Sequence, residues 1–195
     1  MTMELRALEL DGVVEIIPKK FGDARGYFAE TYSREPFHAA GVTHEWVQDN
    51  QSYSAERGVL RGLHFQVAPF AQDKLVRVLR GSIFDVAVDI RKASPTFGRW
   101  VSCIVSAAAF NQILVPKGFA HGFMTLEPNT EVLYKVSAPY KPGCDRTIFF
   151  ADPAIGIAWP LPTSDVILSE KDRQAPLLAD VVAELTFDRL EGFQI

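Results

Sequence analysis

Short apolar runs, broken every few residues by glycine or proline, organise this chain, and between the breaks β-branched and aromatic residues often alternate with polar ones. Alternation of this kind is what a strand with one buried face requires. It predicts strands over residues 75–79, 83–90, 100–105, 112–115, 118–126, 131–137 and 147–150, and the stretch from Gly58 to Gln66 reads as a further strand punctuated by glycine. So many short strands point to an all-β sandwich, jelly roll or barrel. Ser33 stands where it can cap a short helix through Glu35, Pro36 and Phe37 that stops at Gly41, and a second helical turn follows Ser169. No repeat or low-complexity tract interrupts the pattern, and the proline-rich stretch 153–162 reads as an ordered connection near Trp159. One domain over residues 1–195 is the expectation.

Composition narrows the classes. Hydrophobic residues make up 48% of the 195, with fourteen Phe, which favours a packed globule over disorder. The net charge of -4, without a run of Lys and Arg, gives no field for nucleic acid. No window is long and apolar enough for a membrane span. Two cysteines, Cys103 and Cys144, are too few for a disulfide framework, and no basic-then-apolar leader opens the sequence. A reducing, cytoplasmic setting is therefore expected.

Candidate chemistry gathers in a few strands. Of four histidines, His38 and His44 have polar neighbours in sequence, whereas His64 and His121 lie within apolar strand signals. Polar groups buried there need partners. Gln66 stands where a His-x-His metal pair would place its second imidazole, and with only His121 left as another buried ring the ligand count argues against a catalytic metal. His64 is then either an acid/base group or a satisfied core histidine. Lys74 shares a face with Val76 and Val78, from which its ammonium either approaches an oxyanion or reaches water. Tyr134 lies on the face of Val132 and Val136, as a packing residue or with its hydroxyl turned inward to a partner. His121 lies with Phe119 and Phe123, and Asp85 or Asp89 could orient it. Arg61 and His64 are three positions apart, which strict alternation sends to opposite faces unless Gly62 sits in a bulge.

Six blocks in order, Asp23-Ala24-Arg25-Gly26-Tyr27-Phe28, Arg61-Gly62-Leu63-His64-Phe65-Gln66, Lys74-Leu75-Val76-Arg77-Val78, Ser94-Pro95-Thr96-Phe97-Gly98, Pro116-Lys117-Gly118-Phe119-Ala120-His121-Gly122-Phe123 and Leu168-Ser169-Glu170-Lys171-Asp172, closely resemble the dTDP-4-dehydrorhamnose 3,5-epimerases. The likeness runs from about Val14 to about Leu178. It implies a double-stranded β-helix of the jelly-roll, cupin-like type with short flanking helices, a homodimer, and neither metal nor organic cofactor. By the same resemblance His64 is the base, Asp172 its orienting carboxylate, Tyr134 the acid on the opposite face and Lys74 the cation near a 4-keto oxygen. Arg61 and His121 become substrate contacts and Arg25 a diphosphate ligand reaching across the dimer. Glu30, Gln48, Asn50, Tyr140 and Lys171 become further sugar or nucleotide contacts.

The implied reaction suits these residue types. Hydrogens on C3 and C5 flank a C4 ketone, so removing either gives an enolate that a nearby ammonium stabilises, while an imidazole accepts protons near neutrality. The expected activity is epimerisation of dTDP-4-dehydro-6-deoxy-D-glucose at both carbons. The alternatives are a single-carbon epimerase or ketoisomerase of another nucleotide deoxysugar, and a non-catalytic nucleotide-sugar-binding jelly roll. No glycine-rich phosphate loop is present, so diphosphate binding rests on the resemblance alone.

Overall fold

The computed structural model describes residues 3–187. The chain runs through β1 (Met3–Ala7), β2 (Val14–Pro18), β3 (Phe21–Asp23), β4 (Gly26–Phe28), α1 (Arg34–Ala39), β5 (Gln48–Ser54), β6 (Leu60–Gln66), β7 (Lys74–Arg80) and β8 (Ser82–Asp89). It continues through β9 (Trp100–Ser106), β10 (Gln112–Val115), β11 (Phe119–Thr125), β12 (Thr130–Val136), β13 (Asp145–Thr147), α2 (Glu170–Arg173) and α3 (Leu178–Val181). A six-stranded sheet has the order β1-β2-β10-β7-β12-β5 and a five-stranded sheet the order β13-β6-β11-β8-β9, with β3 and β4 forming a separate hairpin. The pairings between these strands are antiparallel. This is the jelly-roll architecture.

The two sheets face each other across one apolar layer. Val76, Val78, Ile113, Val115 and Val132 come from the first sheet, and Ile83, Ala87, Val101, Val105, Phe119 and Phe123 from the second. Each fully buried side chain of this size contributes roughly 1.5 to 3 kcal/mol. Outer faces are covered as well. Phe37 of α1 and Val42 pack on Val14, Ile16, Leu75 and Leu114. On the other side Leu178, Val181 and Leu185 seal Leu63, Phe65, Val86, Val88 and Ala120. Burial on both faces explains why β11 is buried at every position.

Several local expectations need correction. The strand expected at 147–150 is β13, two residues earlier; Ile148 still exchanges both backbone hydrogen bonds with Leu63, at 2.9 and 3.1 Å, before the chain turns. Ser33 precedes α1 but makes no side-chain cap. Ser169 does cap α2, its hydroxyl accepting from the Asp172 amide. β5 carries the sequence QDNQSYS at a sheet edge, where one side of the strand has no neighbour among the described residues, so it lacks the apolar signal that marks the interior strands. Among the described residues no helix is long and apolar enough to cross a membrane.

Candidate active site

A bulge in β6 assembles the centre of the site. In the ladder with β11, His64 pairs with His121 and Arg61 with Phe123, so three steps on β6 oppose two on β11. The extra residue resolves the conflict of parity, and Arg61 and His64 line the same cleft. Gly62 makes this possible. Its φ is +135°, and a Cβ there would lie 2.5 Å from the Cα of Gly122 on the neighbouring strand.

The cleft has a volume of ≈ 440 Å³ and is bounded by Ser52, Arg61, His64, Lys74, His121, Phe123, Tyr134, Ser169 and Asp172, among others. A second, more polar lobe of ≈ 340 Å³ is lined by Gln48, Asn50, Gln66, Gln72, Tyr140, Asp145 and Lys171. His64, Lys74 and Tyr134 border both. His64 belongs to the five-stranded sheet, and Lys74 and Tyr134 to the six-stranded one, so the site opens between the layers.

His64 Nε2 lies 2.5 Å from Asp172 Oδ1, with the carboxylate buried and the imidazole partly exposed to the cleft. Ser169 donates to the other carboxylate oxygen at 2.9 Å. Burial alone would push the Asp172 carboxyl up. Hydrogen bonding and charge from His64, with smaller contributions from Ser169 and Lys171, hold it below the usual carboxylate range.

Lys74 is buried and its Nζ donates to the His64 carbonyl at 3.2 Å. Desolvation pulls its ammonium down to about 8, against the opposing charges of Asp85 and Asp145. Tyr134 is half-buried, and its hydroxyl has no hydrogen-bond partner among the described residues. Burial pushes that phenol up, with Arg61 opposing. His121 Nε2 lies 2.8 and 3.0 Å from the two oxygens of Asp85. The choice between Asp85 and Asp89 is thereby settled: Asp89 is spent on Arg91, Ser94 and Thr96. Arg61 reaches the Tyr53 carbonyl at 3.1 Å, leaving its buried Nε without a partner among the described residues.

The second lobe collects Gln48, Asn50, Tyr140 and Lys171. Gln48 donates to Asn50 at 2.8 Å and accepts from the Tyr140 amide at 3.1 Å. Lys171 and the Tyr140 hydroxyl both bond Asp145. Arg25 and Glu30 lie outside both lobes of their own chain. Arg25 is exposed in the turn of the β3–β4 hairpin and pairs with Asp23 at 2.6 Å. Sequence reasoning missed Asp145, Ser52 and Gln72, none of which carries an apolar-strand signal. Gln66 braces loops: it donates to the Phe70 and Pro139 carbonyls and accepts from the Lys141 amide.

The family model for dTDP-4-dehydrorhamnose 3,5-epimerase matches residues 7–180. The chain belongs to the dTDP-4-dehydrorhamnose 3,5-epimerase family. A dTDP-4-dehydrorhamnose 3,5-epimerase of Sinorhizobium fredii is 51% identical over 179 residues, 92% of this chain and 91% of that relative. A Legionella pneumophila dTDP-6-deoxy-D-glucose-3,5-epimerase solved in complex with dTDP-4-keto-L-rhamnose superposes with a TM-score of 0.91 at 44% identity, covering 96% of this chain and 99% of that one. A Bacillus anthracis dTDP-4-dehydrorhamnose 3,5-epimerase with TDP and PPi bound gives a TM-score of 0.87 at 48% identity, covering 90% and 99%. As a member of the 3,5-epimerase family the chain is an isomerase.

Proposed function

We propose that this epimerase inverts C3 and C5 of dTDP-4-dehydro-6-deoxy-D-glucose to give dTDP-4-dehydro-L-rhamnose, using its own side chains and no metal or organic cofactor. One observation carries the mechanism: a carboxylate-backed imidazole on one sheet and a phenol and an ammonium on the other border a single cleft.

With Nε2 committed to Asp172, His64 Nδ1 is the nitrogen that takes the carbon-bound proton. The C–H electron pair forms the carbon–carbon double bond of the enolate as the carbonyl π pair moves onto the C4 oxygen. Asp172 holds the tautomer and stabilises the imidazolium that forms. Lys74 meets the developing enolate, where a single well-placed donor is worth roughly 3 to 4 kcal/mol. Tyr134, standing on the opposing layer, returns a proton to the other face of the planar carbon; His64 then releases its proton to solvent and the phenolate takes one up, and repetition at the second carbon completes the reaction. Arg61 and His121 contact the sugar.

The nucleotide occupies the second lobe, held by Gln48, Asn50, Tyr140 and Lys171. Arg25 and Glu30 serve the cleft of a second copy in a homodimer, a reading supported by their exposed position outside their own cleft. The whole chain acts as one domain in the cytoplasm. In deuterated water the expected outcome is label at both C3 and C5. Label at one carbon identifies a single-site epimerase, and none identifies a binding module.

A further inference from the structure

Asp85 is a carboxylate buried within the apolar layer between the sheets, behind the active cleft and not among the residues that line it. It is fully buried on β8, between Ile83 and Ala87, both members of that layer. An unpaired charge there would be prohibitively costly, so its partners define what it is for. One is His121, whose Nε2 lies within hydrogen-bond distance of both oxygens. The other is electrostatic: Lys74, also buried, enters from β7 on the opposite sheet.

We propose, building on the epimerase reading, that Asp85 is a positioning residue of the reaction: it holds His121 as a hydrogen-bond acceptor toward a sugar hydroxyl and supplies the negative charge against which the Lys74 ammonium is kept. The first half follows from hydrogen-bond bookkeeping. A carboxylate only accepts, so Nε2 carries the proton it donates. Nδ1, which has no partner among the described residues, is left bare on a ring that lines the cleft. Burial holds the His121 imidazolium down despite Asp85, and the neighbouring charges of Lys74 and His64 act in the same direction; this favours the neutral ring, in which Nδ1 accepts.

The second half follows from the charges around Lys74. Asp85 from β8 and Asp145 from β13 favour its ammonium, Lys171 from α2 opposes it, and His121 on β11 is neutral. His64 on β6 offers only its backbone carbonyl, at 3.2 Å. Asp145 is already shared between Lys171 and Tyr140. Of the two carboxylates, Asp85 acts on the Lys74 ammonium the more strongly.

The test uses the full chain and the 4-keto nucleotide sugar. Asp85→Asn keeps an oxygen for the His121 Nε2 proton and removes only the charge. Its kcat/KM is expected to stay within a few-fold of the parent below about pH 6.5, while the alkaline limb moves acidward by about one pH unit, a several-fold loss at pH 8. A profile superimposable on the parent's, or one lowered equally at every pH as a structural defect would produce, overturns the proposal. A second measurement does not depend on this variant folding. The imidazole ¹⁵N spectrum of the parent at pH 7, with the resonance assigned through His121→Gln, is expected to show His121 protonated at Nε2 and bare at Nδ1. A doubly protonated ring or the reverse tautomer overturns the assignment. That spectrum is read without turnover, so it separates a failure of Asp85 from a failure of the epimerase reading, which deuterium exchange in the parent tests.

Discussion

Asp172 Oδ1 and His64 Nε2 stand 2.5 Å apart across 108 positions of sequence. The contact depends on α2, a single turn capped by Ser169, whose hydroxyl both accepts from the Asp172 amide and donates to its carboxylate. The cap thus orients the group that orients the base.

Removing the base and removing the acid should separate. His64→Ala is expected to abolish deuterium exchange at both carbons and lower kcat by about 10² to 10⁴. Tyr134→Phe should retain exchange while impairing inversion. Mass spectrometry and proton NMR of recovered sugar distinguish the two, and equal, complete loss in both variants contradicts separate roles.

Lys74 sets a conflict between stability and activity. Its ammonium titrates near 8 in the fold against 10.5 when free, so the unfolded chain binds more protons between those values and stability rises with pH across that window. Lys74→Met should remove this rise and reduce kcat by about 10² or more. Urea unfolding at pH 7 and 9.5, paired with turnover, checks both.

Acid sensitivity is expected from Asp172 and Asp89. Burial would raise each, but His64 holds Asp172, and Arg91, Ser94 and Thr96 hold Asp89, below their ordinary value of 3.8. Depressed carboxyls contribute stability that is present above the unfolded value and is lost as pH falls through the folded one. The loss should begin near pH 4 and deepen below it. Asp89→Ala, which strands the buried Arg91 charge, should cost about 3 to 5 kcal/mol in urea unfolding at pH 7 and blunt the acid limb. An unchanged midpoint would rule this out.

Gly62→Ala should destabilise the protein by more than about 1 kcal/mol, because its φ of +135° and the 2.5 Å approach to Gly122 leave a methyl group no space. The bulge would shift to relieve the clash. Activity should then fall further than thermal stability alone accounts for, since Arg61 and His64 would no longer share a wall.

Strands β6 to β12, the cap at Ser169 and the chemical types gathered at His64, Lys74, Tyr134 and His121 were legible from local order alone, because alternation and capping are properties of neighbouring residues. Placement in space was not. Whether Asp85 or Asp89 serves His121 depends on which face of β8 meets β11, and the convergence of Arg61 with His64 depends on a one-residue slip between paired strands. Asp145 enters the second lobe only because β13 pairs with β6, and polar β5 is held as a strand by its ladder to β12. A strand's period is written along its own residues, but its register is decided by hydrogen bonds to another part of the chain, and only the folded structure brings those partners together.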